Sequence, residues 1–208
     1  MNKTSLDAII FDLGGVILEI DYERTVNAFK ALGFDDFDRH YSQLKQSGLF
    51  DELECGRIDR SGFVDRIQEH IPERSSVEIL DAWNAIILDY PLGRLDYVIG
   101  LRELLPVFLL SNTNEIHFEF FDRMLHNTSH GGIKQCFDKA YLSHEIGERK
   151  PNLGAFEIIL NENNLSAGST LFVDDSPQHI ESAKRLGLQT IHLTSISDLE
   201  KELKPFLA

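Results

Sequence analysis

Sulfur, cations and long apolar runs are all scarce in this chain. Its two cysteines, Cys55 and Cys136, cannot build a disulfide framework, and neither has a Cys or His at metal-ligand spacing. Both are read as packing residues, with a reducing cytoplasm as the expected compartment. Only 20 Lys and Arg face 34 Asp and Glu, a formal net charge of -14. The clustered cations that grip a phosphate backbone are therefore missing, so nucleic acid is not expected as a partner, and repulsion from anionic lipid disfavours a membrane surface. No apolar stretch approaches the roughly 18 residues that a membrane-spanning helix needs. The start, Met1 to Asp7, lacks the apolar core and small-residue cleavage site of a secretory signal. There is no internal repeat, no Gly-x-Gly-x-x-Gly and no Gly-x-x-x-x-Gly-Lys-Ser/Thr, so dinucleotide and P-loop readings lack their motif.

What is present is an ordinary globular balance, 42% hydrophobic and 26% charged. Five short apolar runs stand between turn residues: Ala8 to Phe11, Val107 to Leu110, Ala140 to Leu142, Leu171 to Val173 and Thr190 to Leu193. The first four do not alternate apolar with polar. A strand covered on both faces requires such a run, so the expected class is α/β, a Rossmann-like parallel sheet sandwiched by helices. Helical crossovers are expected over Ile116 to Leu125, Asn152 to Asn161 and His179 to Leu186, the last closed by Gly187.

From Phe11 to Val107 the chain is far longer than the dozen or so residues a crossover takes. Helical spacing over Tyr22 to Leu32, Asp36 to Gln46, Ser61 to Ile71 and Ser75 to Leu88, punctuated at Gly33, Gly48, Gly56 and Pro72, predicts an inserted helical bundle. Residues 1–18 and 90–208 then form the α/β core and 19–89 the insert. Phe29, Phe34, Phe37, Phe50, Phe63 and Trp83 are expected to be the insert's own core.

Ligands of an open parallel sheet sit at the carboxyl ends of its strands. Those positions hold Asp12-Leu13-Gly14-Gly15, Ser111-Asn112-Thr113-Asn114, Arg149-Lys150-Pro151 and Asp174-Asp175-Ser176. Carboxylates, a hydroxyl and an ammonium on one rim suit a divalent cation and a phosphate. Blander readings exist for each. Ser111 could cap the next helix, Lys150 could be a loop charge, and Ser176 with Pro177 could simply start a helix. Glu54 and Arg57 read as solvated loop charges, with substrate specificity as the alternative. His117, His126 and His130 lack the acidic companion of a zinc motif and read as core or surface residues.

Taken in order, these strings resemble the haloacid dehalogenase-like (HAD) superfamily of aspartate-nucleophile hydrolases. Phe11 to Val16 is similar to motif I, Leu110-Ser111-Asn112 to motif II, Lys150-Pro151 to motif III and Val173 to Ser176 to motif IV. The insert resembles the helical C1 cap. Ser111 to Asn114 and Glu145 to Pro151 are similar to the bacterial α-D-glucose-1-phosphate phosphatase group. The resemblance implies a Mg²⁺-dependent phosphatase of a small phosphorylated metabolite, with a sugar phosphate as first expectation. Asp12 would be the nucleophile. Mg²⁺ would be held by Asp12, the Gly14 carbonyl and Asp175, with Asp174 behind them or as alternate ligand. Ser111 and the Asn112 backbone N–H would bind phosphoryl oxygens, and Lys150 would stabilise the transition state and keep Asp12 ionised. A metal-free dehalogenase acting on 2-haloacids and a non-catalytic phosphate-binding module are the competing readings.

Two positions depart from the family pattern. Gly14 stands where phosphatases usually carry a second Asp that moves protons, and such a loss costs roughly 10²- to 10⁴-fold. The expected compensation is a good leaving group, an anomeric or acyl phosphate, with Glu19 or Asp21 relaying protons. His179 stands where many members have a further Asp or Asn near the metal.

Overall fold

The computed structural model describes residues 6–41, 48–126 and 128–207. Five strands, β1 (Ala8–Phe11), β2 (Val107–Ser111), β3 (Lys139–Leu142), β4 (Thr170–Asp174) and β5 (Gln189–His192), form one all-parallel sheet in the order β3-β2-β1-β4-β5. Each lies within one residue of an apolar run picked out above. Between β1 and β2 come α1 (Tyr22–Ala31), α2 (Phe37–His40), α3 (Gly48–Glu54), α4 (Arg60–Gln68), α5 (Ser76–Asn84) and α6 (Leu92–Leu101). The remaining helices are α7 (Glu115–His126), α8 (Ser143–Ile146), α9 (Leu153–Glu162), α10 (Pro177–Arg185) and α11 (Leu199–Leu207).

The continuous apolar runs are explained by burial on both faces. Ile9, Phe11, Leu109 and Val173 point to one side, where Leu95 of α6, Phe121 of α7 and Leu203 of α11 cover them. Ala8, Ile10, Phe108 and Phe172 point to the other, against Phe156 of α9 and Ala183 of α10. Gly187 ends α10 with φ 86°, a left-handed conformation that glycine adopts without steric cost.

Helices α1 to α5 close around a separate apolar cluster that contains Phe29, Phe34, Phe37, Phe50, Phe63 and Trp83, with Ile116 of α7 added from below. Trp83 stacks on Phe50 at 5.3 Å and on His117 at 4.5 Å. Its helix starts with a reciprocal cap, Ser75 Oγ accepting from the Glu78 N–H while the Glu78 carboxylate accepts from the Ser75 N–H. The two connections to the sheet run side by side. Ile20 bridges Ile87 antiparallel, and the Asp21 and Leu88 N–H groups donate to the Ile86 and Glu19 carbonyls.

Three expectations change. The helix expected over 36–46 ends at His40, with Tyr41 extended as its cap; residues 42–47 lie outside the described residues, as do Met1 to Ser5. Gly48, read as punctuation, opens α3 instead. Helices α6, α8 and α11 lie outside every span expected to be helical. Among the described residues no helix is long and apolar enough to cross a membrane, and Cys55 and Cys136 are buried free thiols.

Candidate active site

Strand order reverses at β1: β2 and β3 lie to one side of it, β4 and β5 to the other. The carboxyl ends of β1, β2 and β4 therefore splay around a single crevice. Phe11 pairs with Leu109 and with Val173, so Asp12 leaves β1 level with the end of β4, its N–H donating to the Val173 carbonyl at 2.9 Å. Asp12, Asp175, Asn112 and Lys150 line one cavity there with Gly14, Ser176 and His179. Ser111 lines the adjoining cavity, which shares Gly14 and Asn112 with the first.

Lys150 is fully buried, and its Nζ lies 2.7 Å from Asp12 Oδ1 and 2.8 Å from Asp174 Oδ2. Asp174 is equally inaccessible. Its Oδ1 accepts from the Ser176 N–H at 2.7 Å, and His179 Nδ1 stands 3.0 Å from both carboxylate oxygens. His179 thus supports Asp174 from behind. The Asp174 side chain, rather than the Ser176 hydroxyl, caps the start of α10, and Ser176 Oγ is left buried without a hydrogen-bond partner.

One ammonium thus serves two carboxylates, and a third stands beside them. Burial disfavours charge on Asp174, yet Lys150 and His179 outweigh it and hold that carboxyl below its usual range. Burial likewise opposes the Lys150 ammonium, but Asp12 and Asp174 keep it charged. For Asp12, burial wins over Lys150 and the group is raised, with Asp174 adding to the rise. At Asp12 the Lys150 ammonium, shared with Asp174, offsets the effect of burial only in part. Asp175 is pushed up to about 7 by burial, then by Asp12 and Asp174. Asp12, Asp174 and Asp175 each bring an oxygen within 4.8 Å of the others. Such a hard-oxygen set short of positive charge fits a divalent cation.

The turn after β1 is shaped for this cluster. Gly15 has φ 74°, and a Cβ there would lie 2.3 Å from Asp175 Oδ2. A Cβ on Gly14 would meet Ile20 Cδ1 at 2.8 Å, so an aliphatic side chain occupies the space next to the missing Asp. Neither Glu19 nor Asp21 lines the cavity, and the Asp21 carboxylate is committed to capping α1 through the Glu23 N–H. The relay expected of them is not supported by their positions. Ser111 is no helix cap: Asn114 Oδ1 accepts from the Ile116 and His117 N–H groups and starts α7. The Asn112 side chain clamps the Lys150 peptide, donating to its carbonyl at 2.8 Å and accepting from its N–H at 2.9 Å.

The helical insert contributes the roof. Glu54, at the end of α3, is only 6% exposed and faces the same cavity with Tyr22 of α1. Arg149, one residue before Lys150, reaches Glu54 Oε2 at 2.9 Å and Asp51 Oδ1 at 3.0 Å. Glu54 is therefore not a solvated loop charge, whereas Arg57 is an exposed one paired with Asp51. Tyr22 stays protonated because burial, then Glu54 and the aspartates, oppose its ionisation. Just after α3, Gly56 takes φ 65° with its backbone against the His144 carbonyl, so insert and sheet domain meet closely. Of the three histidines, His117 is buried, accepting from Asn114 at Nδ1 and donating from Nε2 to the Trp83 carbonyl; His126 and His130 partner Asp122 and Asp96.

This fold and carboxylate crevice define a class that the comparisons identify. Residues 120–193 match the haloacid dehalogenase-like hydrolase family. Over 200 residues the chain is 33% identical to D-ribitol-5-phosphate phosphatase of Bacteroides thetaiotaomicron, covering 96% of this chain and 97% of that protein. A HAD-family enzyme from the same organism, crystallised with magnesium and inorganic phosphate, superimposes with a TM-score of 0.82 at 32% identity, over 90% of this chain and 93% of that one. A HAD-like hydrolase from Porphyromonas gingivalis gives 0.81 at 30%, over 95% and 98%. The chain belongs to the haloacid dehalogenase-like hydrolase family.

Proposed function

We propose that the protein is a Mg²⁺-dependent phosphatase of a small, hydroxylated phosphate ester, a sugar or sugar-alcohol phosphate. The observation that carries this reading is the three-carboxylate cluster around Lys150, deficient in positive charge and adjoined by the Ser111–Asn112 turn. Asp12, Asp175 and the Gly14 carbonyl would hold Mg²⁺, with Asp174 supporting them. Bound there, the ion supplies positive charge against which a carboxylate and a dianionic phosphate can approach.

The Asp12 carboxylate attacks phosphorus, forming an O–P bond as the ester P–O bond breaks, and the leaving oxygen takes a proton from water. A second water then attacks the aspartyl-phosphate, releasing inorganic phosphate and restoring Asp12. Ser111 and the Asn112 N–H orient phosphoryl oxygens, while Lys150 balances charge on the transferring group. Asn112 fixes where that ammonium sits by holding the Lys150 peptide. Because Gly14 carries no side chain and Ile20 fills the space beside it, no carboxyl two residues after Asp12 protonates the leaving oxygen, and turnover should favour good leaving groups. Residues 19–89 act as a cap that swings on the paired connections at Ile20 and Ile87 and excludes bulk water when closed. Relatives named as phosphatases or crystallised with magnesium and phosphate support the same reading.

Chelation tests it. Phosphate release from sugar and polyol phosphates should disappear with EDTA and return with excess Mg²⁺. Halide release from 2-haloacids that survives EDTA, with no phosphate release, would replace this reading by the dehalogenase one.

A further inference from the structure

We infer that Glu54, held in place by Arg149, is the specificity-determining residue of this site: it selects phosphate esters whose carbon half is a neutral polyol and rejects those whose carbon half carries a carboxylate. The inference rests on the phosphatase reading and extends it to the half of the substrate that is not phosphate.

Of the charged groups that the sheet domain supplies to the cavity, Asp12, Asp175 and Lys150 belong to the phosphate and metal end, and Arg149 is turned toward Glu54. From the insert, the cavity is lined by Ile20, Tyr22 and Glu54, with Arg149 reaching across from the loop of Lys150. A charged glutamate is almost never this buried unless it is paired. Its partner here is Arg149, whose guanidinium joins Glu54 and Asp51 on the same helix and so fixes the carboxylate against the roof.

A carboxylate offers about four acceptor sites, so one held by an arginine can still face hydroxyl donors across a cavity that it lines. Tyr22, kept as a neutral phenol, adds a group that both donates and accepts. Such a wall suits a chain of hydroxyls. A second carboxylate brought against Glu54 in this desolvated space meets like-charge repulsion that bulk water would have screened. Arg149 offsets this repulsion only in part, since its charge is divided between Glu54 and Asp51, the latter also paired with the exposed Arg57. In this account Glu54 touches substrate and Arg149 is a positioning residue.

The test uses matched esters that differ only in the tail, glycerol phosphate against phosphoglycerate and a pentitol phosphate against the corresponding phosphopentonate. Both are assayed with Mg²⁺ on wild type, Glu54→Gln and Arg149→Met. Wild type should prefer each polyol ester by roughly 100-fold in kcat/KM. Glu54→Gln should shrink that ratio by about tenfold or more, through a higher KM for the polyol and a lower one for the acid. Arg149→Met should raise the polyol KM more than it lowers kcat, while Glu54→Asp restores part of the ratio. Thermal unfolding of each variant shows that it is folded. Inhibition of wild type by free pentitol against free pentonate gives a readout that needs no variant, with the pentitol expected to bind more tightly. Equal use of both tails by wild type, or an unchanged ratio in folded Glu54→Gln, overturns the inference and leaves the phosphatase reading standing. Absence of Mg²⁺-dependent release from every ester overturns both.

Discussion

Replacing Lys150 by methionine keeps the length of the side chain and removes its charge from a fully buried position between two aspartates. Removing one partner of a buried ion pair costs about 3–5 kcal/mol, because the charge left behind is neither hydrated nor paired. For a chain of this size that is a fall of roughly 6–20 °C in Tm. The penalty has a signature in pH. Without the ammonium, the Asp174 carboxyl loses the main influence that holds it below its usual range, and burial then drives it upward. An acid whose folded pKa is raised destabilises the fold above that pKa, and the penalty disappears as pH falls and the group takes up a proton. The gap between wild type and Lys150→Met should therefore be wide at pH 7.5 and narrow at pH 5. Urea unfolding at both pH values, with EDTA in all samples so that no cation replaces the ammonium, measures it. Adding Asp174→Asn should recover part of the loss at pH 7.5. A loss below about 1 kcal/mol, or a gap of equal size at both pH values, would refute the argument that Lys150 is the electrostatic keystone of the crevice.

Three further outcomes follow from particular contacts. His117 is held near a pKa of about 4 by burial against an ordinary 6.5, so its contribution is present above pH 6.5 and is lost as pH falls toward 4, by up to roughly 3 kcal/mol; His117→Gln should flatten that part of a Tm-against-pH curve, and an unchanged slope would remove His117 as its cause. Gly15→Ala should lower Mg²⁺ affinity at least tenfold in a calorimetric titration, since the new Cβ would collide with Asp175 at a positive φ; unchanged affinity would take Asp175 out of the metal site. In a leaving-group series, kcat for the bond-breaking step should rise from alkyl through anomeric to acyl phosphates, and equal rates would show that another group protonates the leaving oxygen in place of Gly14.

The sheet was legible because its signal is local: β1, β2 and β4, buried along their whole length, carry uninterrupted apolar runs, while the partly exposed edge strands β3 and β5 carry shorter or mixed ones. That helices fill the long connection between β1 and β2 was legible from its length, and the aromatic cluster among them from its spacing. What escaped the sequence depends on partners far away along the chain. Glu54 reads as a loop charge until Arg149, distant in sequence, buries and pairs it. The side-chain clamp of Asn112 on Lys150 is invisible in a string that suggests only a phosphate-binding turn. Ile20 gains meaning only when the chain returns it to the space above Gly14. The division of one ammonium between two aspartates is likewise a property of geometry, not of composition.

The proposed function stands or falls on Asp12 as the nucleophile of a metal-dependent phosphate transfer. The measurement is phosphate release from a panel of sugar and polyol phosphates, with and without Mg²⁺, by wild type and Asp12→Asn. That role predicts Mg²⁺-dependent release by wild type and none above background by a folded Asp12→Asn. Release by Asp12→Asn at a rate near that of wild type, or release indifferent to Mg²⁺, would contradict it.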